Sequence, residues 1–257
     1  MIKEELVLSV IVPVKNEHEN IRDTIISLHK HVKHAFEIIF IYDSEEDSTL
    51  PVIKVSQREF KNIRFHKNSV CPGPSGAIRS GIKCSKAPYV LVTMGDLCDD
   101  HSQINQMLEL TKKGADIVCP SRYCIGGQQL LNNSFKKLTP RLAGYLLHHI
   151  VGLPFDPTNS YKLYSKNILN SFKLRSKSSF SVTFEIIVKS HCVSFNIIEI
   201  PTVWKNRKFG KSNFKFLESI FTYLPWFFLA LLKGKYFCLP KFFFRKFLLK
   251  KTNFLNH

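Results

Sequence analysis

The sequence predicts an α/β fold, a mostly parallel sheet flanked by helices, with amphipathic C-terminal helices lying in a membrane interface. Three observations predict it. Strand patterns of the fully buried kind alternate repeatedly with helical ones along most of the chain. Two acidic clusters, at Asp43 and at Asp96, each follow directly on a strand, where open α/β sheets place their ligands. The end of the chain is both basic and rich in phenylalanine, the composition of a membrane-surface helix.

The first strand is Leu6-Val7-Leu8-Ser9-Val10-Ile11-Val12, stopped by Pro13, which has no N–H for a ladder. Ile21, Ile25, Leu28 and Val32 then recur at helical spacing. A second strand, Phe36 to Tyr42, runs into the acidic turn Asp43-Ser44-Glu45-Glu46-Asp47-Ser48, followed by a helix near Leu50 to Phe60 and a short strand at Ile63-Arg64-Phe65. The loop Cys71 to Gly76 opens another helix, and the strand Tyr89 to Met94 leads straight into Gly95-Asp96-Leu97-Cys98-Asp99-Asp100. Further strands are expected at Asp116 to Cys119, shortly after Tyr161 and at Asn196 to Ile200, with helices near Leu142 to Val151 and Val182 to His191. No internal repeat is present.

With 257 residues, 44% apolar and 22% charged, the chain has the composition of a folded domain, not of a disordered or collagen-like one. We expect an α/β domain over 1–215 and basic, Phe-rich interface helices over 216–257. The net charge is +17, and twelve Lys or Arg against the single Glu218 put +11 of it between Trp204 and His257. Eleven of the 22 phenylalanines fall between Phe214 and Phe254. Charge that travels with phenylalanine argues for an anionic membrane surface and against nucleic acid as the partner. The uncharged stretch Ser219 to Leu232 is fourteen residues long and holds Pro225, short of the ~20 that a span needs. It and a second helix, Lys241 to Lys251, are therefore expected to lie in the interface, the alternatives being packing on the core, on a partner chain, or a membrane hairpin. Seven cysteines without a C-x-x-C pair, and no secretory-signal pattern, predict a reducing cytosol and hence the cytoplasmic face of the membrane. Zinc spacing is absent.

Taken in order, several pieces carry a resemblance. They are Val10-Ile11-Val12-Pro13-Val14-Lys15-Asn16-Glu17, the strand-end Asp43, Gly76-Ala77-Ile78-Arg79-Ser80-Gly81 and Gly95-Asp96-Leu97. Ser121-Arg122-Tyr123 with Gly126-Gly127 follows, then Glu199-Ile200-Pro201 leading to Arg207 and Gly210-Lys211-Ser212. From Leu6 to about Phe214 the chain resembles the family-2 glycosyltransferases of the GT-A (Rossmann-like) fold, in the dolichyl-phosphate or polyprenyl-phosphate mannosyltransferase-like branch.

That resemblance implies a nucleotide-sugar donor, UDP- or GDP-linked, whose base and ribose rest on Pro13, Glu17 and Asp43, with Gly76 and Arg79 also on the nucleotide side. A carboxylate at a strand end suits such a role, because it accepts charge-assisted bonds from hydroxyls and base N–H groups. Glu17 also reads as an acid at a helix N-terminus. The family's Asp-x-Asp holds Mg²⁺ or Mn²⁺ on the diphosphate. Here the first Asp is Met94, whose thioether is too soft for either ion, so Asp96 is the surviving match. Asp99 and Asp100 have two readings, as compensating metal ligands, with Asp99 the better placed, or as caps of the helix before Ile104. Tyr42 stands where the family often has another Asp, either stacking on the base or ending the strand.

The acceptor follows from the need for a base. A sugar hydroxyl must lose its proton as the new bond forms, whereas a phosphate monoester, with a second pKa near ~6, is already anionic. The candidate bases are Asp156 and Glu185. Cations are easier to find: by resemblance Arg122, Arg207, Lys208 and Lys211, with Ser212, surround the phosphates, and Asp96, Arg122 and Arg207 are the expected catalytic set. Phe209 and Asn213 replace two basic residues of the family's late loop. The expected activity is inverting transfer of a hexose to a polyprenyl or dolichyl phosphate. The alternatives are transfer to a hydroxyl of a lipid-linked glycan or envelope saccharide, or a sugar-nucleotide-binding protein weakened in turnover by Met94. Pairing with itself or with a membrane partner is left open.

Overall fold

The computed structural model describes residues 5–130, 135–207, 209–210 and 216–233. Its centre is β1 (Leu8–Pro13), which pairs in parallel with β2 (Phe36–Tyr42) on one side and with β4 (Tyr89–Val92) on the other. Such a strand is covered on both faces, which is why it reads as one apolar run. Val10 and Val12 face one core and Ile11 the other.

The sheet continues outward through β3 (Ile63–Lys67) beyond β2. On the other side come β7 (Lys162–Ser165), β5 (Ile117–Ser121) and β8 (Ile197–Pro201), giving the order β3-β2-β1-β4-β7-β5-β8. β7 is antiparallel to both of its neighbours, and the other pairings in this sheet are parallel. A mostly parallel sheet was expected, and this is one, with a single reversal.

Two layers of helices cover it. α1 (Ile21–His31), α2 (Thr49–Glu59) and α4 (Ile104–Lys112) bury Ile21, Ile25, Leu28, Ile53, Ile104 and Leu108 against one face. α3 (Pro74–Cys84), α5 (Phe135–Val151) and α7 (Ser181–Cys192) cover the other, and α6 (Lys166–Ser171) follows β7. The approach of α3 to the sheet is close: a Cβ on Gly81 would lie 2.4 Å from Ile11 Cγ2. α5 begins at Phe135, a full turn and more before the apolar run at Leu142 from which it was expected.

α8 (Phe216–Lys233) packs on α7 and α5, buries Ala230, and donates from Trp226 Nε1 to Ser176 Oγ at 2.9 Å. A helix is thus present where one was expected from Ser219 to Leu232, and one of its sides packs on the core, as one of the alternatives to an interfacial position had it. No helix among the described residues is long and apolar enough to cross a membrane. The second expected helix, Lys241 to Lys251, lies outside the described residues, as do Lys208, Lys211 and Ser212.

Candidate active site

The carboxyl ends of β1, β2 and β4 meet at one crevice, and hydrogen bonds tie their loops together. Asn16, in the left-handed region at φ 56°, a conformation that Asn tolerates better than most residues, donates its N–H to Asp47 Oδ1 at 3.0 Å. Glu17 N–H donates to Thr49 Oγ1, and Asp47 also accepts from the Thr49 N–H. The loop after β1 is therefore bound to the turn after β2. Asp47, read in the sequence as one acid of a cluster, organises that junction.

Asp43 sits at the end of β2, with Oδ1 accepting from Asn68 Nδ2 at 2.7 Å and Oδ2 from the Gly73 N–H at 2.8 Å. Together with Asn68, Ser69, Val70, Cys71 and Pro72 it lines a cleft of about 270 Å³. Gly76 forms a close approach behind it, since a Cβ there would fall 1.7 Å from the Cys71 carbonyl oxygen. Arg79 points elsewhere, its Nη1 donating to the Ser176 carbonyl and so joining α3 to the segment before α7. Pro13 ends β1, opposite Ile41.

On the β4 side, Gly95 fits under Ile21 and Leu97 takes a positive φ of 59°, which turns Asp96 back over the strand end. Asp96 Oδ1 accepts from the Cys98 N–H and Oδ2 from Arg207 Nη2 at 2.9 Å. Arg207 Nη1 also lies 3.6 Å from Glu17 Oε1, while Glu17 Oε2 accepts from Asn20 Nδ2, which donates to the Phe209 carbonyl as well. Glu17, Asp96 and Arg207, far apart in sequence, thus form one cluster. Burial pushes the Glu17 carboxyl above its usual range, against the opposing influence of Asn20 and Arg207.

Of the two roles considered for Asp99 and Asp100, capping falls to Asp100, and Asp99 instead closes a strand end. Asp100 caps the short 3₁₀ turn His101–Gln103, accepting from Ser102 N–H and Oγ. Asp99 Oδ2 accepts from Thr93 Oγ1 at 2.8 Å and from the Met94 N–H at 3.1 Å, which closes the end of the β4 segment. Burial, reinforced by the Asp96 charge, raises its pKa to about 7. The described residues hold no group of three or more His, Cys, Asp or Glu placed to bind a metal. One hard carboxylate, Asp96, suits Mg²⁺ or Mn²⁺ when a diphosphate and water complete the shell; it does not suit an ion held by protein alone.

Arg122 leaves β5 with its fork closed on Asp156, Nε to Oδ2 at 2.6 Å and Nη2 to Oδ1 at 2.8 Å. Its own N–H also donates to Asp156 Oδ2. Burial alone would push the Asp156 carboxyl up, but Arg122 outweighs it and holds the group below its usual range. Glu185 is also buried and accepts from the N–H groups of Arg175 and Ser176 and from Lys189. Both candidate bases are accordingly committed partners. The Gly126–Gly127 turn brings β6 (Gln128–Gln129) beside β9 (Val203–Trp204) in a two-stranded parallel sheet. Beyond β9 the Lys205 N–H donates to the Cys98 carbonyl, which carries Arg207 over Asp96.

The fold and this crevice define an α/β protein whose parallel strands end in a cluster of acidic side chains, Glu17, Asp43 and Asp96. The chain belongs to glycosyl transferase family 2, whose model matches residues 9–178. It is 24% identical over 233 residues to a dolichol-phosphate mannosyltransferase of Pyrococcus furiosus, covering 85% of this chain and 64% of that protein. It is 32% identical over 133 residues to a dolichyl-phosphate beta-glucosyltransferase of Dictyostelium discoideum, covering 46% of this chain and 41% of that protein. The chain thus spans less than two thirds of the length of either relative. Among solved structures, glucosyl-3-phosphoglycerate synthase of Mycobacterium tuberculosis in complex with Mn²⁺, UDP and glucosyl-3-phosphoglycerate shares the fold. The TM-score is 0.65 at 17% identity, over 89% of this chain and 80% of that one.

Proposed function

We propose that the chain is an inverting glycosyltransferase that moves a hexose from a UDP- or GDP-sugar to a polyprenyl or dolichyl phosphate at a membrane surface. The observation that carries the donor half is the convergence of Glu17, Asp96 and Arg207 at the carboxyl ends of the strands, the end of the sheet that also carries Asp43. Base and ribose lie against Asp43, Pro13 and Glu17, with Gly76 leaving room for the backbone of that wall. Asp96 is the residue that would hold Mg²⁺ or Mn²⁺, and such an ion would supply charge that offsets the departing nucleoside diphosphate. Asp99 supports the Asp96 turn through Thr93 and Met94.

The acceptor half rests on the two committed carboxylates. Asp156 is locked to Arg122 and Glu185 to three donors, which leaves a hydroxyl acceptor without the bases considered for it. A lipid phosphate attacks without one. Its anionic oxygen forms the bond to the anomeric carbon as the bond from that carbon to the donor phosphate oxygen breaks, and the nucleoside diphosphate leaves with the electron pair. Asp156 fixes the plane of the Arg122 fork, and Arg207, with Lys211 and Ser212 after it in the sequence, orients and offsets phosphate. α8 and the basic sequence after it hold the enzyme on anionic lipid.

The test is incubation of the protein with labelled UDP-glucose, UDP-N-acetylglucosamine or GDP-mannose and undecaprenyl or dolichyl phosphate, with Mn²⁺ or Mg²⁺. Label from one donor should enter the organic phase and be lost in Asp96→Ala. Donor binding without label in that phase, for every pairing, would overturn the reading.

A further inference from the structure

Asn20 stands at the start of α1 in the position of a helix cap, where a side-chain oxygen ordinarily accepts from the N–H groups of the first turn. Its side chain makes no such bond. Nδ2 instead donates outward twice, to Glu17 Oε2 at 3.1 Å and to the Phe209 carbonyl at 3.2 Å. An ionised carboxylate and a carbonyl only accept, so the amide turns its nitrogen toward them. Oδ1 is left without a partner among the described residues, although Asn20 is only 2% exposed. A capping bond and a satisfied acceptor are both given up for two bonds into the crevice.

The backbone of Asn20 is fixed at the same time. Its carbonyl accepts from the Thr24 N–H, and the Thr24 hydroxyl is shared between that carbonyl and, at 3.1 Å, the Gly95 carbonyl beside Asp96. The first turn of α1 therefore joins the loop after β1, the end of the β4 segment and the segment that carries Arg207. This last segment is held on both sides of Arg207, by the Lys205 N–H on the Cys98 carbonyl before it and by Asn20 on the Phe209 carbonyl after it.

We propose that Asn20 is a positioning residue for Arg207. By gripping Glu17 and the Phe209 carbonyl together it sets where the guanidinium meets Asp96, and it ties that placement to the Glu17 carboxylate. A ligand that engages Glu17 then also tightens the Arg207 segment. The use of this coupling in donor binding rests on the proposed nucleotide-sugar reading, but the placement of Arg207 does not. A plain helix-end role has a different signature. Ser caps a helix as well as Asn does, yet its hydroxyl has one donor hydrogen on a shorter arm and cannot hold both partners.

The experiment compares the full chain with Asn20→Ser and Asn20→Asp. Tryptic cleavage after Lys205 and Arg207, followed by mass spectrometry, reads how the segment is held, and thermal unfolding reads the fold. We expect Asn20→Ser to melt with the wild type but to be cut at these two sites about fivefold faster or more. Asn20→Asp, which sets a further acceptor against Glu17 and Phe209, should be cut faster still. UDP or GDP with Mn²⁺ should slow cleavage of the wild type and have little effect on Asn20→Ser. Wild-type cleavage of Asn20→Ser would overturn the proposal, and so would a melting point well below the wild type with faster cleavage throughout the chain. If neither nucleotide binds while Asn20→Ser is still cut faster at these two sites, the placement of Arg207 stands and the donor assignment falls. If a nucleotide binds and protects all three proteins equally, the positioning role falls and the donor assignment stands.

Discussion

Arg207 lies 111 residues beyond Asp96 in the chain, yet its Nη2 donates to Asp96 Oδ2 at 2.9 Å, and its Nη1 stands 3.6 Å from Glu17. A guanidinium is therefore the counter-ion of the carboxylates that a donor-bound cation would use. Like charges repel, so a divalent cation at Asp96 would compete with Arg207 until a diphosphate accepted both. Replacing Arg207 by Gln should raise the affinity for Mn²⁺ alone by about fivefold or more, a modest site-to-site coupling. The same change should lower transfer by about 100-fold, the loss typical of one missing transition-state donor. Paramagnetic titration of free Mn²⁺, with and without UDP, reads the first effect; unchanged Mn²⁺ affinity would contradict the competition.

Asp156→Asn should destabilise the protein by about 3–5 kcal/mol, because it leaves the Arg122 charge without its partner in a buried pair. Urea unfolding measures this. Adding Arg122→Gln should recover part of the loss, since the orphaned charge is then gone.

The Asp99 carboxyl, raised to about 7, gives a pH signature. In the unfolded chain it titrates near ~3.9, so between about pH 4 and pH 7 the native state binds a proton that the unfolded state has lost. Its contribution is complete below about pH 4 and disappears as pH rises through 7. Asp99→Asn, which preserves an acceptor for Thr93 and Met94, should therefore gain stability relative to wild type at pH 8 compared with pH 5. Melting temperatures at the two pH values decide it, and parallel shifts would refute the linkage.

Gly76→Ala should cost about 1–3 kcal/mol, the usual range for overpacking, because its methyl would meet the rigid backbone at Cys71. The same change should weaken UDP binding by distorting the cleft beside Asp43, which isothermal titration would register.

Much of this architecture could be read from residue order. The runs at Leu6 to Val12, Phe36 to Tyr42 and Tyr89 to Met94 gave the central strands, and Asp43 and Asp96 fell at their ends as a parallel sheet requires. Strand direction could not be read for β7, since a run of only four residues, Lys162 to Ser165, carries no pattern that differs between the two senses. Nor could long-range pairing: nothing near Arg122 points to Asp156, 34 residues on, and nothing near Arg207 names Asp96. Asn20 and Asp47 were missed for the same reason, although Asn20 three residues after Glu17 had the spacing for contact across one turn. On α5 the apolar residues surround the helix, and only its neighbours distinguish the inward Leu147 from the outward Leu146.

The reversed direction of β7 has a consequence for how this architecture can change. β5 ends at Ser121 on the crevice rim, and because β7 runs the other way, it starts on that same rim at Lys162. The excursion between them leaves and rejoins the scaffold at neighbouring points, pinned by a bond from Asn159 Nδ2 to the Pro120 carbonyl. The exposed part of this excursion can therefore change in length without disturbing the β1-β2-β4 ladder, while Arg122, Asp156, Leu147 and Val151 keep its remainder tied to the core.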